Sequence, residues 1–208
     1  NLDFKGNSST EIKSNYYGTV SLWDIGYNNK ANDPMRFTAR SPRIRVEGNS
    51  TFNVVSSNDC LHFVNRFIVE NENGTKCNAT VNLTTSGSSS YGISMPRNVN
   101  TSTKDAEKHY LVFNSTVRAN ITCTNASRGK AGVYIKGGLN LIKLATEIKF
   151  TKFNSVFLTN SISLNESEIT YNNATPTIIV DSDVTAAVTV ENSTSQALFN
   201  LITGKTVE

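Results

Sequence analysis

Twelve asparagines stand in Asn-X-Ser/Thr triplets, at Asn7, Asn49, Asn73, Asn78, Asn82, Asn100, Asn114, Asn120, Asn125, Asn165, Asn173 and Asn192. Such a triplet is the acceptor for an N-linked glycan, in which the side-chain amide nitrogen is joined to a sugar on a solvent-facing position. With 27 Asn, and 47 Ser and Thr among 208 residues, chance alone supplies about six triplets, so the count is a twofold excess. Placement adds to it. In the segment 77–84, Cys77, Ala79, Val81 and Leu83 alternate with Asn78, Thr80, Asn82 and Thr84. Around 111–124, Leu111, Phe113, Val117, Ala119, Ile121 and Cys123 oppose Asn114, Thr116, Arg118, Asn120 and Thr122. A strand turns alternate side chains to opposite faces, so these four Asn are expected on outward faces, where a glycan fits. Asn73 precedes Gly74, a hairpin-turn signal, and is expected to be exposed as well.

Residues suited to catalysis do not converge. His62 falls in a strand pattern and His109 among charges, neither with a recognisable nucleophile or acid partner. No Gly-X-Ser-X-Gly is present, and the Gly204-Lys205-Thr206 triplet lacks the first glycine of a phosphate-binding loop. Asp181 and Asp183 lack further acidic ligands nearby, as a calcium site would require. Arg40, Arg43 and Arg45 form a small basic cluster, a candidate contact for acidic glycans. The chain therefore reads as non-enzymatic, with no cofactor and no metal beyond covalently attached N-glycans. Its net charge of +3 is scattered, without the basic stripe that nucleic acid needs. No apolar run is long enough for a membrane-spanning helix, so no membrane insertion is expected. The first residue is Asn1 rather than Met, which reads as a processed N-terminus and points to a secreted, extracellular or cell-surface protein.

Three cysteines in an exported chain allow one disulfide and one thiol. Cys77 and Cys123 both project inward on strands and form the preferred pair; Cys60 with Cys77 is the alternative.

The elements that must position these groups are strands almost throughout: β-branched and aromatic residues alternate with polar ones between turn signals. The segment 139–148 fits strand or helix, with strand favoured. No internal repeat stands out, and many short strands predict a single all-β Greek-key sandwich, pilin- or immunoglobulin-like, over residues 17–208. Residues 1–16 precede it as an extended tail. There the odd positions are polar, while Leu2, Phe4, Gly6, Ser8, Thr10, Ile12, Ser14 and Tyr16 are apolar, aromatic or small. One unbroken strand of that length would run about 50 Å, well beyond an ordinary strand.

An alternating N-terminal extension ahead of a sandwich resembles the pilins assembled by donor-strand complementation. With dense triplets it is most similar to the glycosylated thread filaments of archaea. The resemblance implies that Leu2, Phe4, Gly6, Ser8, Thr10, Ile12, Ser14 and Tyr16 face a groove in the next subunit. It further implies a homopolymer growing head to tail, serving adhesion or biofilm formation, with host or neighbouring-cell surface glycans as a further partner. The alternative is a receptor-binding or shielding ectodomain of a viral or cell-surface adhesion glycoprotein, marked by a triplet-free aromatic patch at 15–35 or 91–95.

Overall fold

The computed structural model describes residues 2–14, 20–21, 43–62, 64, 66–95, 109–136, 139–160, 178–180 and 186–191. The first fifteen strands succeed one another in a fixed rotation through three sheets. The first coil contributes β1 (Leu2–Phe4), β2 (Ser9–Ser14) and β3 (Val20–Ser21). The second contributes β4 (Arg43–Val46), β5 (Thr51–Ser56) and β6 (Leu61–His62), and the third β7 (Arg66–Val69), β8 (Thr80–Thr85) and β9 (Tyr91–Met95). The fourth holds β10 (His109–Phe113), β11 (Ala119–Cys123) and β12 (Gly129–Lys136). The fifth holds β13 (Leu139–Leu144), β14 (Ile148–Thr151) and β15 (Phe153–Asn160), and β16 (Ile178–Val180) and β17 (Ala186–Glu191) follow. The sheet orders are β1-β4-β7-β10-β13, β16-β14-β11-β8-β5-β2 and β17-β15-β12-β9-β6-β3. Every ladder between neighbouring strands is parallel. The architecture is a three-sheet parallel β-solenoid, each coil resting on the one before it.

This overturns the Greek-key sandwich, which requires antiparallel strands. Period-two alternation reports only that one face of a strand is buried. It carries no strand direction, and a parallel partner can follow after a long excursion. Here the excursion passes through the other two sheets. A repeat is present after all, in unequal lengths: strands of the first sheet begin at residues 2, 43, 66, 109 and 139, steps of 41, 23, 43 and 30. The segment 139–148, expected as strand, is strand over its first part as β13 and then turns at 145–147 into β14 of the next sheet.

The N-terminal segment is likewise not one long strand. Gly6, at φ 69°, breaks it into β1 and β2, which pair within the chain with β4 and β5. Residues 2–14 are thus the first coil rather than a free tail. The expected inner face is kept in part: Phe4 and Ile12 pack against the core, and Ser8, Thr10 and Ser14 are half-buried, while Leu2 and Gly6 are exposed. Tyr16 lies outside the described residues.

Inside, identical positions of successive coils form columns. One runs Thr10, Phe52, Val81, Ala119, Ile148; the next runs Ile12, Val54, Leu83, Ile121, Phe150. The first sheet supplies Phe4, Val46, Val69, Phe113 and Leu144. Aromatic rings cross the interior from coil to coil: Phe4 to Phe52 at 4.8 Å, Phe52 to Phe67 at 6.3 Å, and Phe67 to Phe113 at 5.4 Å. Fully burying each such side chain contributes roughly 1.5–3 kcal/mol. These columns, rather than any single strand pair, hold the coils in register.

Candidate functional site: the asparagine ladders and the first coil

Stacking in register turns the outward asparagines into ladders. At the corner between the first and second sheets, the Asn49 amide Nδ2 donates to Asn7 Oδ1 at 3.0 Å, and Asn78 Nδ2 donates to Asn49 Oδ1 at 3.2 Å. Thr116 Oγ1 continues the line to Asn78 Oδ1 at 2.5 Å. The backbone repeats beneath it, with Asn49 N donating to Gly6 O at 2.7 Å and Asn78 N to Gly48 O at 2.8 Å. A second ladder climbs the outer face of the second sheet: Asn82 Nδ2 to Asn53 Oδ1 and Asn120 Nδ2 to Asn82 Oδ1, both 2.8 Å. Each amide has a donor end and an acceptor end, so a column of Asn closes its hydrogen bonds rung upon rung. Inside the first corner Ser8 Oγ donates to Ser50 Oγ at 3.0 Å, and Ser50 Oγ donates to the Glu47 carbonyl at 2.6 Å.

The ladders give the excess of Asn-X-Ser/Thr triplets a structural reading. On an outward face, positions i and i+2 point the same way, so a ladder strand that places Asn and Thr on its polar face spells the triplet of itself. The repeated Gly-Asn-Ser at residues 6–8 and 48–50 marks the first two rungs of the corner ladder, whereas the third rung reads Cys77-Asn78-Ala79.

Eight of the twelve candidate acceptors lie among the described residues. Asn7, Asn49, Asn73 and Asn78 are exposed, while Asn82, Asn120 and Asn125 are half-buried. Asn114 departs from the expected outward placement. It is only 2% exposed, and its Nδ2 donates to Glu70 Oε1 at 2.9 Å and Gly74 O at 3.4 Å. The reason is that β10 ends at Phe113, so Asn114 sits on a corner where the strand's alternation no longer applies. Asn100, Asn165, Asn173 and Asn192 lie outside the described residues. Asn73-Gly74 does form an exposed turn, but it leads from one sheet to the next and joins no hairpin.

The disulfide expectation is corrected. Cys60, Cys77 and Cys123 are all buried and free. Cys77 bridges to Ser115 before β8 begins, whereas Cys123 pairs with Thr85 at its end, so the preferred partners sit at opposite ends of one sheet. Nor does the alternative pair, Cys60 with Cys77, form. Burial raises the Cys60 thiol far above its ordinary value, with the neighbouring Asp59 carboxylate adding to it. Burial also raises Cys123, which disfavours the reactive thiolate at both.

His62 is better partnered than its sequence suggested: its Nδ1 lies 2.6 Å from Asp59 Oδ2, and Asp59 Oδ1 accepts the Tyr91 N–H at 2.8 Å. An acid–histidine pair needs a reachable nucleophile to act in acyl transfer. The register places Ser94 beside His62, but Ser94 is buried. Arg43 and Arg45 are turned to internal uses. Arg43 Nη2 grips both carboxylate oxygens of Asp3, at 2.8 and 3.0 Å, while Arg45 Nη1 donates to the carbonyls of Glu70 and Asn71. The Arg66 guanidinium lies over the Tyr110 ring at 4.7 Å. Arg40, Asp181, Asp183, the 204–206 triplet and the aromatic residues of the patch at 15–35 (Tyr16, Tyr17, Trp23 and Tyr27) lie outside the described residues. The patch at 91–95 is β9, of which only Tyr91 is not buried; its ring stacks on Tyr134 at 4.8 Å. Among the described residues no group of His, Cys, Asp and Glu could hold a metal ion, and no helix is long and apolar enough to cross a membrane.

The first coil is the other feature of note. Ser8 O and Ser14 O accept from Thr51 N and Ser57 N, so the even residues of β2 bond to β5. The N–H and C=O groups of Ser9, Glu11 and Lys13 therefore point to the opposite edge, where no described strand pairs with them. Leu2 is 38% exposed there, and Phe4 and Ile12 are only partly buried, whereas Ile44, Val46 and Val54 of the second coil are fully buried. No family model, curated protein or solved structure matches the chain.

Proposed function

We propose that the chain is a structural module of a glycosylated, extracellular filament, and that copies stack end to end, the first coil of one resting on the last coil of the next. The observation that carries this reading is the edge of β2 that no described strand covers, which presents a row of parallel-strand donors and acceptors beside partly covered core residues. Such an edge is a template for another strand, and solenoids need a cap or a neighbour at each end. Joining head to tail by translation along the solenoid axis does not close, so it yields a filament. Growth is head to tail, by coil stacking in place of strand insertion into a sandwich.

Glu11→Pro tests it, because Glu11 N–H faces the open edge and takes no part in the β2–β5 ladder. Proline is tolerated on an edge strand but removes the donor that a stacked coil would use. In sedimentation velocity the unaltered chain is expected to grow into elongated oligomers as concentration rises, while Glu11→Pro stays monomeric with an unchanged circular dichroism spectrum. Equal assembly of both, or a chain that remains monomeric throughout, would sink the proposal.

A further inference from the structure

We propose that, of the eight described Asn-X-Ser/Thr triplets, Asn73 carries the glycan and the ladder asparagines beyond the first coil stay bare. This inference rests on the reading of the chain as an exported glycoprotein and assigns where its sugars go.

The chemistry sets the criterion. In N-glycosylation the side-chain Nδ2 attacks the anomeric carbon of a lipid-linked oligosaccharide pyrophosphate. The new C–N bond forms as the sugar's bond to the pyrophosphate oxygen breaks, the lipid pyrophosphate leaves with the electron pair, and one amide proton is lost to base. The product amide keeps a single N–H. A suitable asparagine therefore needs an Nδ2 free of hydrogen bonds that fix it to the fold, and room around it for a sugar ring.

Six of the eight fail that criterion in the folded chain. Asn49, Asn78, Asn82 and Asn120 each use Nδ2 to hold the rung below. Their neighbours stand one rung away, about 4.8 Å, so sugars on successive rungs would occupy the same space. Asn114 spends its amide on Glu70 and Gly74 inside the corner. Asn125 Nδ2 donates to Ser86 O at 2.7 Å while its Oδ1 accepts from Ser127 N at 2.8 Å. Attachment to any of these before folding would leave a coil unable to seat on its neighbour.

Asn73 shares exposure with Asn49 and Asn78 but not their amide hydrogen bonds. It is exposed, and its Nδ2 makes no hydrogen bond among the described residues, while Oδ1 accepts both the Thr75 N–H at 3.1 Å and the Thr75 hydroxyl at 2.6 Å. The triplet's own threonine thus holds the carboxamide with nitrogen outward, and its hydroxyl polarises the amide. Asn71 braces the turn from behind, donating to Thr75 Oγ1 at 3.1 Å and Lys76 O at 3.0 Å. Asn7 also has an uncommitted Nδ2, since it only accepts in its ladder. It lies on the open first coil, however, where a stacked copy would cover it, so it is modified only in unstacked chains.

The test is site-resolved glycopeptide mass spectrometry on the full chain secreted behind a leader from a glycosylating host, taken from the folded fraction. Expected are near-complete occupancy at Asn73, its loss together with one glycan mass in Thr75→Ala, and unmodified Asn49, Asn78, Asn82, Asn114, Asn120 and Asn125. Glycans on Asn49 and Asn78 together, or on Asn114, in folded protein would overturn the placement while leaving the glycoprotein reading intact. A chain secreted with no glycan at any site would overturn both.

Discussion

Replacing Gly48 with alanine is expected to destabilise the chain by about 2–5 kcal/mol, far more than the same change at Gly6. Both glycines hold left-handed backbone, with φ 65° and 69°. A side chain there costs about 1–2 kcal/mol from the crowding of Cβ against its own carbonyl. At Gly6 that is the whole penalty, since a Cβ would meet nothing within 4 Å. At Gly48 the added Cβ would fall 2.6 Å from Gly6 O and 3.1 Å from Gly6 N. Both are backbone atoms of the first coil, so relief requires moving the rung, an overpacking cost of about 1–3 kcal/mol. Denaturant titrations of Gly6→Ala and Gly48→Ala check this; equal midpoints for the two variants would contradict the stacking of these corners.

Phe67→Ala is expected to cost about 3–5 kcal/mol, the range for deleting a buried phenylalanine. Phe67 is fully buried and stands between Phe52 and Phe113, so its loss interrupts the ring column and leaves a cavity between the third coil and its neighbours. Total stability of a domain is about 5–15 kcal/mol, so this is a large share of it. A solenoid's stability is a sum over neighbouring coils, and a gap in the third coil weakens the coupling between the two sides of the stack. Thermal unfolding should therefore shift to lower temperature and broaden. Phe4→Ala, at the only partly covered end of the same column, should cost less than half as much. A loss below about 1 kcal/mol at Phe67 would show that the column does not bear on stability.

Much of the local structure was legible because burial writes itself into alternation. The inward sets at 77–83 and 111–123 are in the core, apart from Val117, which is only half-buried, and the strand at 139–144 formed where a helix was an option. Strand direction was not legible, since alternation is the same for a parallel or an antiparallel partner. The coil period was hidden by steps that range from 23 to 43 residues. The first sixteen residues show the consequence. Their alternation is real, but Gly6 in left-handed backbone makes a corner of what reads as one long strand. Asn114 was misplaced for a related reason: a one-residue overrun past Phe113 moves a side chain from the outer face into a corner. The ladders themselves could not be read from any one triplet, because a rung exists only when two distant Asn meet.

The parallel rung-on-rung register is the claim on which everything else depends, and cross-linking reads it directly. Adjacent rungs of a sheet stand about 4.8 Å apart, inside the Cα separation a disulfide spans, whereas alternate rungs at about 9.6 Å lie outside it. Cysteines placed at Asn53 and Asn82, or at Asn82 and Asn120, are expected to join under mild oxidation, identified as linked peptides distinct from the buried native thiols. Cysteines at Asn53 and Asn120 should remain unlinked. A bond between 53 and 120, or none between 53 and 82, would contradict the stacked-coil account.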